Sequence, residues 1–176
     1  MNAITEQMDA LAQRLARVES ELAIRNLIVR YGMAADCGDA KTAAACFTED
    51  AEYRISAPRA GRDESDHQDL VLTGRAAIEA MLQSELHQSL LPFSAHTVGP
   101  ATVIVGDTKA RATGYSRLYH RSEITSDGAA PTLMRLAINE WQLVNIDGNW
   151  LIKSRESRLI GEHAAQILLR HAAYPY

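Results

Sequence analysis

The chain has 176 residues, of which 47% are apolar and 23% charged, and a formal net charge of −4. That length suits one domain with a full core, and 10 Gly with 5 Pro exclude collagen-like and Pro/Gly-rich disordered classes. With 18 basic against 22 acidic residues and a pI of about 5.8, nothing favours a nucleic-acid duplex or an anionic membrane as partner.

Only Cys37 and Cys46 are present, without a C-x-x-C pair, so neither a disulfide scaffold nor a zinc ribbon is expected. No run of 18 apolar residues occurs, and Glu6 and Asp9 lie where a signal peptide would need an apolar segment. The expectation is a soluble, cytoplasmic protein with reduced thiols.

From Ile4 the apolar positions follow a 4-3-4-3-4 spacing through Met8, Leu11, Leu15, Val18 and Leu22, which predicts an amphipathic helix. Its stripe reads as an arm, residues 1–19, packed on the body or on a sister subunit. The segment Glu21 to Asp36 carries a main stripe of Ile24, Leu27, Ile28 and Tyr31 and an opposite one of Leu22, Val29 and Met33, so a sandwiched helix is expected. Asp36 falls at its end, where the pattern calls for an apolar group or a cap. Gly38 offers a stop, and Asp39 to Phe47 reads as a further short helix.

Ala51 to Ile55 reads as a strand, followed by an irregular polar stretch from Ser56 to Asp69 that has the composition of a flap. Thr73-Gly74 introduces a helix with Ala77, Ile78, Met81, Leu82 and Leu86 on its buried side, ending before Pro92. From Ser94 the period becomes two, predicting strands near 94–105, 109–124, 132–145 and 150–160 separated by Gly106-Asp107, Ser126-Asp127-Gly128 and Asp147-Gly148. Glu162 to Arg170 closes the chain as a short helix. Helices first and a meander afterwards give an α+β class: a curved, mostly antiparallel sheet with helices on one face, enclosing a cone-shaped pocket for a small hydrophobic molecule. The domain reading is an arm at 1–19, one domain at 20–160, and a C-terminal helix and tail at 161–176.

Within that frame Asp36 and His96 are the leading catalytic candidates. A carboxylate on a helix end that meets an imidazole at a strand start fixes the ring's tautomer and makes it a better base, leaving the second nitrogen to exchange a proton. The alternative for Asp36 is a solvated or capping carboxylate, and for His96 a structural imidazole. The strand Ala110 to Arg121 has a small face of Ala110, Ala112, Gly114, Ser116, Leu118 and His120, which makes His120 a second acid/base candidate; His120 at a frayed strand end is the plain alternative. Its other face, with Arg111, Tyr115, Arg117, Tyr119 and Arg121, has the chemistry of a subunit contact. Leu133, Arg135, Ala137, Asn139, Trp141 and Leu143 share a face of the next strand, so the Asn139 amide is placed to hold an oxygen in the pocket or to be satisfied in the core. Tyr31 and Tyr53 supply phenols for the same purpose, or fill the core.

No G-x-G-x-x-G, Walker loop or G-x-S-x-G occurs, so dinucleotide, nucleotide and serine-hydrolase chemistry lack sequence support. The loop residues Asp63, Asp66, His67 and Asp69 have neither EF-hand spacing nor a His-x-x-x-His pair, and a solvated loop outweighs a metal site.

The run AIRNLIVRYGMAADCGDAKTAAACFTEDAEYRI (Ala23 to Ile55), TGRAAIEAML (Thr73 to Leu82), His96 before a meander, and the hairpin Asp147-Gly148-Asn149-Trp150 resemble the SnoaL-like branch of the NTF2-like superfamily over about residues 20–160. The sequence is most similar there to the scytalone dehydratase and bile-acid 7α-dehydratase type. The resemblance implies an Asp-His dyad at Asp36 and His96, a second histidine at His120, an Asn at Asn139 eleven residues before Trp150, and a helix tyrosine at Tyr31. Ile55 stands at that pattern's strand-tyrosine position, with Tyr53 two residues before it on the same face; Arg155 falls where many such proteins carry a last-strand arginine.

The resemblance further implies a dehydratase that needs no metal or cofactor, with a homotrimer favoured over a dimer. The alternatives are an isomerase or polyketide cyclase using the same pocket, and a non-catalytic ligand-binding or assembly subunit such as the small subunit of a ring-hydroxylating dioxygenase. In a non-catalytic subunit Asp36 and His96 should be too far apart to hydrogen-bond, and the cavity should be plugged by side chains.

Overall fold

The computed structural model describes residues 3–56, 69–121 and 130–174. Helix α1 runs unbroken from Ala3 to Asp36, joining the two segments that the sequence reading separates. Residues 3–19 are exposed on every side, so the arm lies against no described part of its own body. Packing begins at Ile24, and Ile24, Leu27, Ile28 and Tyr31 are buried. The second stripe stays open, with Leu22, Val29 and Met33 at 57%, 42% and 66% exposure, so α1 is covered on one side and is not sandwiched.

The end of α1 is fixed by its turn. Gly38, at φ 79°, takes the left-handed conformation; its N–H donates to the Ala35 carbonyl and the Asp39 N–H donates to Ala34. This paired pattern closes the last carbonyls of the helix and leaves Asp36 in its final turn. The Asp39 carboxylate then accepts from Thr42 N–H and caps α2, Ala40–Ala44.

Strand β1 spans Phe47–Ile55, longer than its alternation suggests, and β2 spans Leu70–Thr73. The single helix expected after Gly74 is two, α3 at Arg75–Leu82 and α4 at Glu85–Gln88, because Ser84 caps a new start; Leu86 is 61% exposed and not buried. The strand expected over 94–105 is likewise broken at Gly99-Pro100 into β3, Ser94–Val98, and β4, Thr102–Val105. Long strands β5, Lys109–His120, β6, Thr132–Ile146, and β7, Asn149–Leu159, follow, then α5, His163–Ala173.

The seven strands form one curved sheet in the order β2-β1-β7-β6-β5-β3, with β4 also on β5. All pairings are antiparallel except β1 with β7. This is the expected α+β cone. Helices α1 to α3 and the inner sheet face share one core, built on Phe47, Ile78, Trp141, Leu143 and Ile152. Helix α5 packs instead on the opposite face, through Ile138, Ala165 and Leu168, so the helices do not all lie on one side.

Two irregularities in the sheet decide which side chains face inward. The β5/β6 pairing jumps from Leu118↔Arg135 to Tyr119↔Leu133, leaving Met134 as an extra residue, so Leu133 leaves the face that it was expected to share with Arg135. The β6/β7 pairing jumps from Leu143↔Ile152 to Gln142↔Ser154, leaving Lys153 extra. A bulge of one residue reverses every side chain beyond it. Trp150 and Ile152 therefore share the inner face with Arg155, Ser157 and Leu159.

Gly114, mid-strand in β5, lies under the crossing of Pro100 and Ala101. A Cβ there would stand 3.2 Å from Ala101 Cα and 3.3 Å from its Cβ. Gly114→Val should lower stability by about 1–3 kcal/mol, read from urea unfolding, through displacement of that crossing.

Candidate active site

Asp36 and His96 meet. The last turn of α1 carries the carboxylate across to β3, where Oδ1 accepts from His96 Nδ1 at 2.5 Å and Oδ2 accepts from the His96 backbone N–H at 2.6 Å. Ser94 Oγ lies 3.4 Å from Oδ1. A carboxylate only accepts, so in the neutral ring the proton sits on Nδ1 and the Nε2 lone pair is free. Gly32, one turn earlier, allows the close approach, since a Cβ there would stand 3.3 Å from the His96 carbonyl oxygen. The two side chains keep 20% and 29% of their exposure, so the pair is reachable from outside.

His87 lies behind the pair. Its ring is nearly parallel to that of His96, with centroids 6.1 Å apart, and its Nε2–H donates to the Ala35 carbonyl at 3.2 Å. Burial first holds its pKa below the ordinary imidazole value, with the charge of His96 acting in the same direction.

A second group of polar side chains crosses four neighbouring strands on the inner face. Arg155 on β7 is its hub: Nη1 donates to Tyr53 Oη at 2.6 Å and Tyr31 Oη at 3.2 Å, and Nε and Nη2 donate to Asn139 Oδ1 at 3.0 and 2.9 Å. Asn139 Nδ2 donates to Ser116 Oγ at 2.7 Å on β5, and the two phenol oxygens lie 2.9 Å apart. The guanidinium also stands over both aromatic rings, 5.3 Å from the Tyr31 centroid and 5.0 Å from that of Tyr53.

Counting protons shows what this group can offer. Each phenol has one hydrogen, and one of the two serves their mutual contact, so one hydroxyl hydrogen remains to donate elsewhere. Arg155 has no carboxylate partner among the described residues. Burial works against its charge, and the phenols Tyr53 and Tyr31 outweigh that, so it is held above the ordinary guanidinium value.

The structure thus brings Asp36 to His96, and Tyr31, Tyr53 and Asn139 to one another. Asn139 is fully buried with both amide atoms engaged, so it holds Arg155 in place. His120 is on the same face at the end of β5, opposite Ser94 and Thr132, with its ring 6.3 Å from Phe93. Asp69 pairs with Arg158 at 2.8 Å and Arg54 at 3.4 Å, while Asp63, Asp66 and His67 lie outside the described residues. Sequence reasoning missed the hub role of Arg155 and the place of His87; alternation continued from Trp150 and Ile152 puts Arg155 outside.

Residues 16–156 match the model of the SnoaL-like domain family. Among solved structures, an NTF2-like protein with a cystatin-like fold from Novosphingobium aromaticivorans is 33% identical, over 90% of this chain and 94% of that one, with a TM-score of 0.76. A protein named as a candidate scytalone dehydratase from the same species is 22% identical, over 81% and 85%, with a TM-score of 0.63. One named as a candidate aromatic ring hydroxylase, also from that species, is 18% identical, over 82% and 92%, with a TM-score of 0.62. No curated protein matches.

Burial first, and Tyr53 next, push the Tyr31 hydroxyl well above the ordinary phenol value of 10.0, against the pull of Arg155. Well below pH 10.0 Tyr31 is protonated in both folded and unfolded chains. As pH rises further the unfolded chain loses this proton first, and the contribution to stability is lost through the folded-state pKa. Unfolding free energy followed from about pH 9 to about pH 11 should therefore fall less for Tyr31→Phe than for the wild type.

Proposed function

The chain belongs to the SnoaL-like domain family of the NTF2-like superfamily, and on that premise we propose that it is a lyase, a dehydratase that removes water from a small or polycyclic alcohol bearing a nearby carbonyl. The observation that carries the reading is the double contact of Asp36 with His96. It leaves one basic nitrogen free and aimed away from the carboxylate. A non-catalytic subunit has no need of that arrangement, so the contact favours an enzyme.

In this reading His96 Nε2 takes the proton on the carbon next to the carbonyl. The electron pair moves into a carbon–carbon bond and charge gathers on the carbonyl oxygen. The spare phenol hydrogen of Tyr31 or Tyr53 meets that oxygen, backed by the Arg155 charge, which Asn139 holds in place. Donors fixed before the reaction, around a positive centre without a carboxylate partner among the described residues, are the kind of help that contributes most. The carbon–oxygen bond to the hydroxyl then breaks, and the proton held on His96 goes to the departing oxygen, with His120 assisting, so that water leaves and a conjugated alkene remains.

An isomerase or cyclase would use the same first step without the departure. The measurement is therefore made in two parts on cyclic ketones and their β-hydroxy derivatives. Solvent deuterium uptake next to the carbonyl, followed by NMR, reads proton abstraction; growth of the conjugated-enone absorbance reads loss of water. Both should occur with the wild type and fall by about 10²–10⁴-fold in Asp36→Asn and His96→Gln. Uptake without enone would assign the isomerase or cyclase reading, and full activity of Asp36→Asn would remove the dyad.

We also assign the open stripe of α1 to contact with further copies of the chain, in a homo-oligomer with a trimer favoured. Light scattering should give a multiple of the chain mass, reduced in a Leu11→Glu, Leu15→Glu double variant; a wild-type monomer would count against it.

A further inference from the structure

Arg135 takes no part in the group around Arg155, yet it faces the same space. The register of β6 sets it opposite Leu118 on the inner face, two inward positions before Asn139. Its side chain passes over β7 to the end of β1, where Nη2 donates to the Ser56 carbonyl at 3.0 Å. Ser56 is itself buried and held in place: its N–H and its hydroxyl both donate to Ser157 O, and its hydroxyl accepts from Leu159 N–H. The guanidinium is thus pinned by one of its five N–H donors against a fixed backbone point.

The remaining donors have no hydrogen-bond acceptor among the described residues, and no described carboxylate lies within ion-pairing distance. Arg25, Arg54, Arg75 and Arg158 have such a partner, whereas Arg135 and Arg155, the two that the register places on the inner face around Asn139, have none among the described residues. Both are at least half-buried on one concave face. Burial, and after it the Arg155 charge, press Arg135 below the ordinary guanidinium value, while Tyr53 and Glu162 pull the other way. Two like charges facing a common space are unfavourable unless a negative group completes them. Asp36 does not supply it, because both of its oxygens are taken by His96, and Glu162 acts on Arg135 from beyond ion-pairing distance.

We infer that Arg135 anchors a carboxylate of the substrate, so that the alcohol dehydrated here is an organic acid, bound with its carboxylate at the Ser56 end of the sheet and its reacting carbon toward His96. The flat fork of a guanidinium matches the two oxygens of a carboxylate, and a single pinned arginine suits one negative charge better than a phosphate dianion. This inference rests on the preceding reading of the inner face as the substrate pocket. Arg135 on this assignment selects the substrate and touches no reacting atom.

The test compares matched ligands by calorimetry, 2-naphthoate against 2-naphthamide, which differ in the charge at one group. The wild type should bind the acid about tenfold more tightly than the amide, and Arg135→Gln should close that gap while leaving amide affinity unchanged. Arg135→Lys, which keeps the charge without the fork, should retain part of the preference, and it carries the test if the Gln variant does not fold. Equal affinity of acid and amide in the wild type, or a preference that survives both substitutions, overturns the carboxylate assignment and leaves the proton-transfer reading standing. Binding of neither compound overturns the carboxylate assignment and the pocket reading together. The deuterium-uptake assay on neutral ketones then reports on the dyad independently.

Discussion

A carboxylate in the last turn of a 34-residue helix sits at the negative end of the helix dipole, the least favourable end for it. No basic side chain occupies that turn of α1. What compensates Asp36 is His96, which meets it twice, with a backbone N–H and with a ring nitrogen. The backbone bond holds the strand in register with the helix end, and the ring bond sets the tautomer. One residue pair therefore joins the helical layer to the sheet and fixes the tautomer of the His96 ring, so disturbing either contact disturbs the other.

The opposite side of the inner face solves a different problem. A guanidinium buried beside phenols and an amide has four of its five N–H donors engaged, yet its charge is balanced by no described carboxylate. Such an arrangement is poor as structure alone, since an apolar residue of similar volume would cost less to bury. Under the proposed reaction, in which charge develops on a substrate oxygen nearby, the arrangement has a use. The bound proton on Tyr31, kept there by burial, fits the same logic: a phenol that remained an anion would cancel the arginine and have nothing to donate.

The sequence made much of this legible and concealed the rest for identifiable reasons. Helix, turn and strand order could be read because apolar spacing reports burial directly, and the glycines at 38 and 148 mark turns that require positive φ. Asp36 stood out as a carboxylate at a position that an amphipathic pattern reserves for something else. Arg155 did not stand out, because alternation assumes a regular strand, and the extra residue at Lys153 inverts the pattern just before it. The same failure moved Leu133 off its expected face through the extra residue at Met134. His87 was hidden differently: it lies on a four-residue helix too short to show a period, and only the tertiary structure brings it against His96. The open second stripe of α1 is the reverse case, where the pattern is plain and nothing among the described residues covers it.

That stripe has a mechanical consequence. It runs from Ile4 through Leu22 and Val29 to Met33, three residues before Asp36, along a helix without a break. At 1.5 Å per residue the helix is about 50 Å long, with fewer than half of its residues anchored in the body. A helix transmits rotation and tilt along its axis, because each turn is bonded to the next. Any surface that covers Val29 and Met33 therefore bears on the turn that aims the Asp36 carboxylate, while the Gly38 closure fixes that turn from the other side. The 2.5 Å contact of Asp36 with His96 therefore depends on the internal clamp of backbone hydrogen bonds, and a surface laid over Val29 and Met33 would act on the same turn.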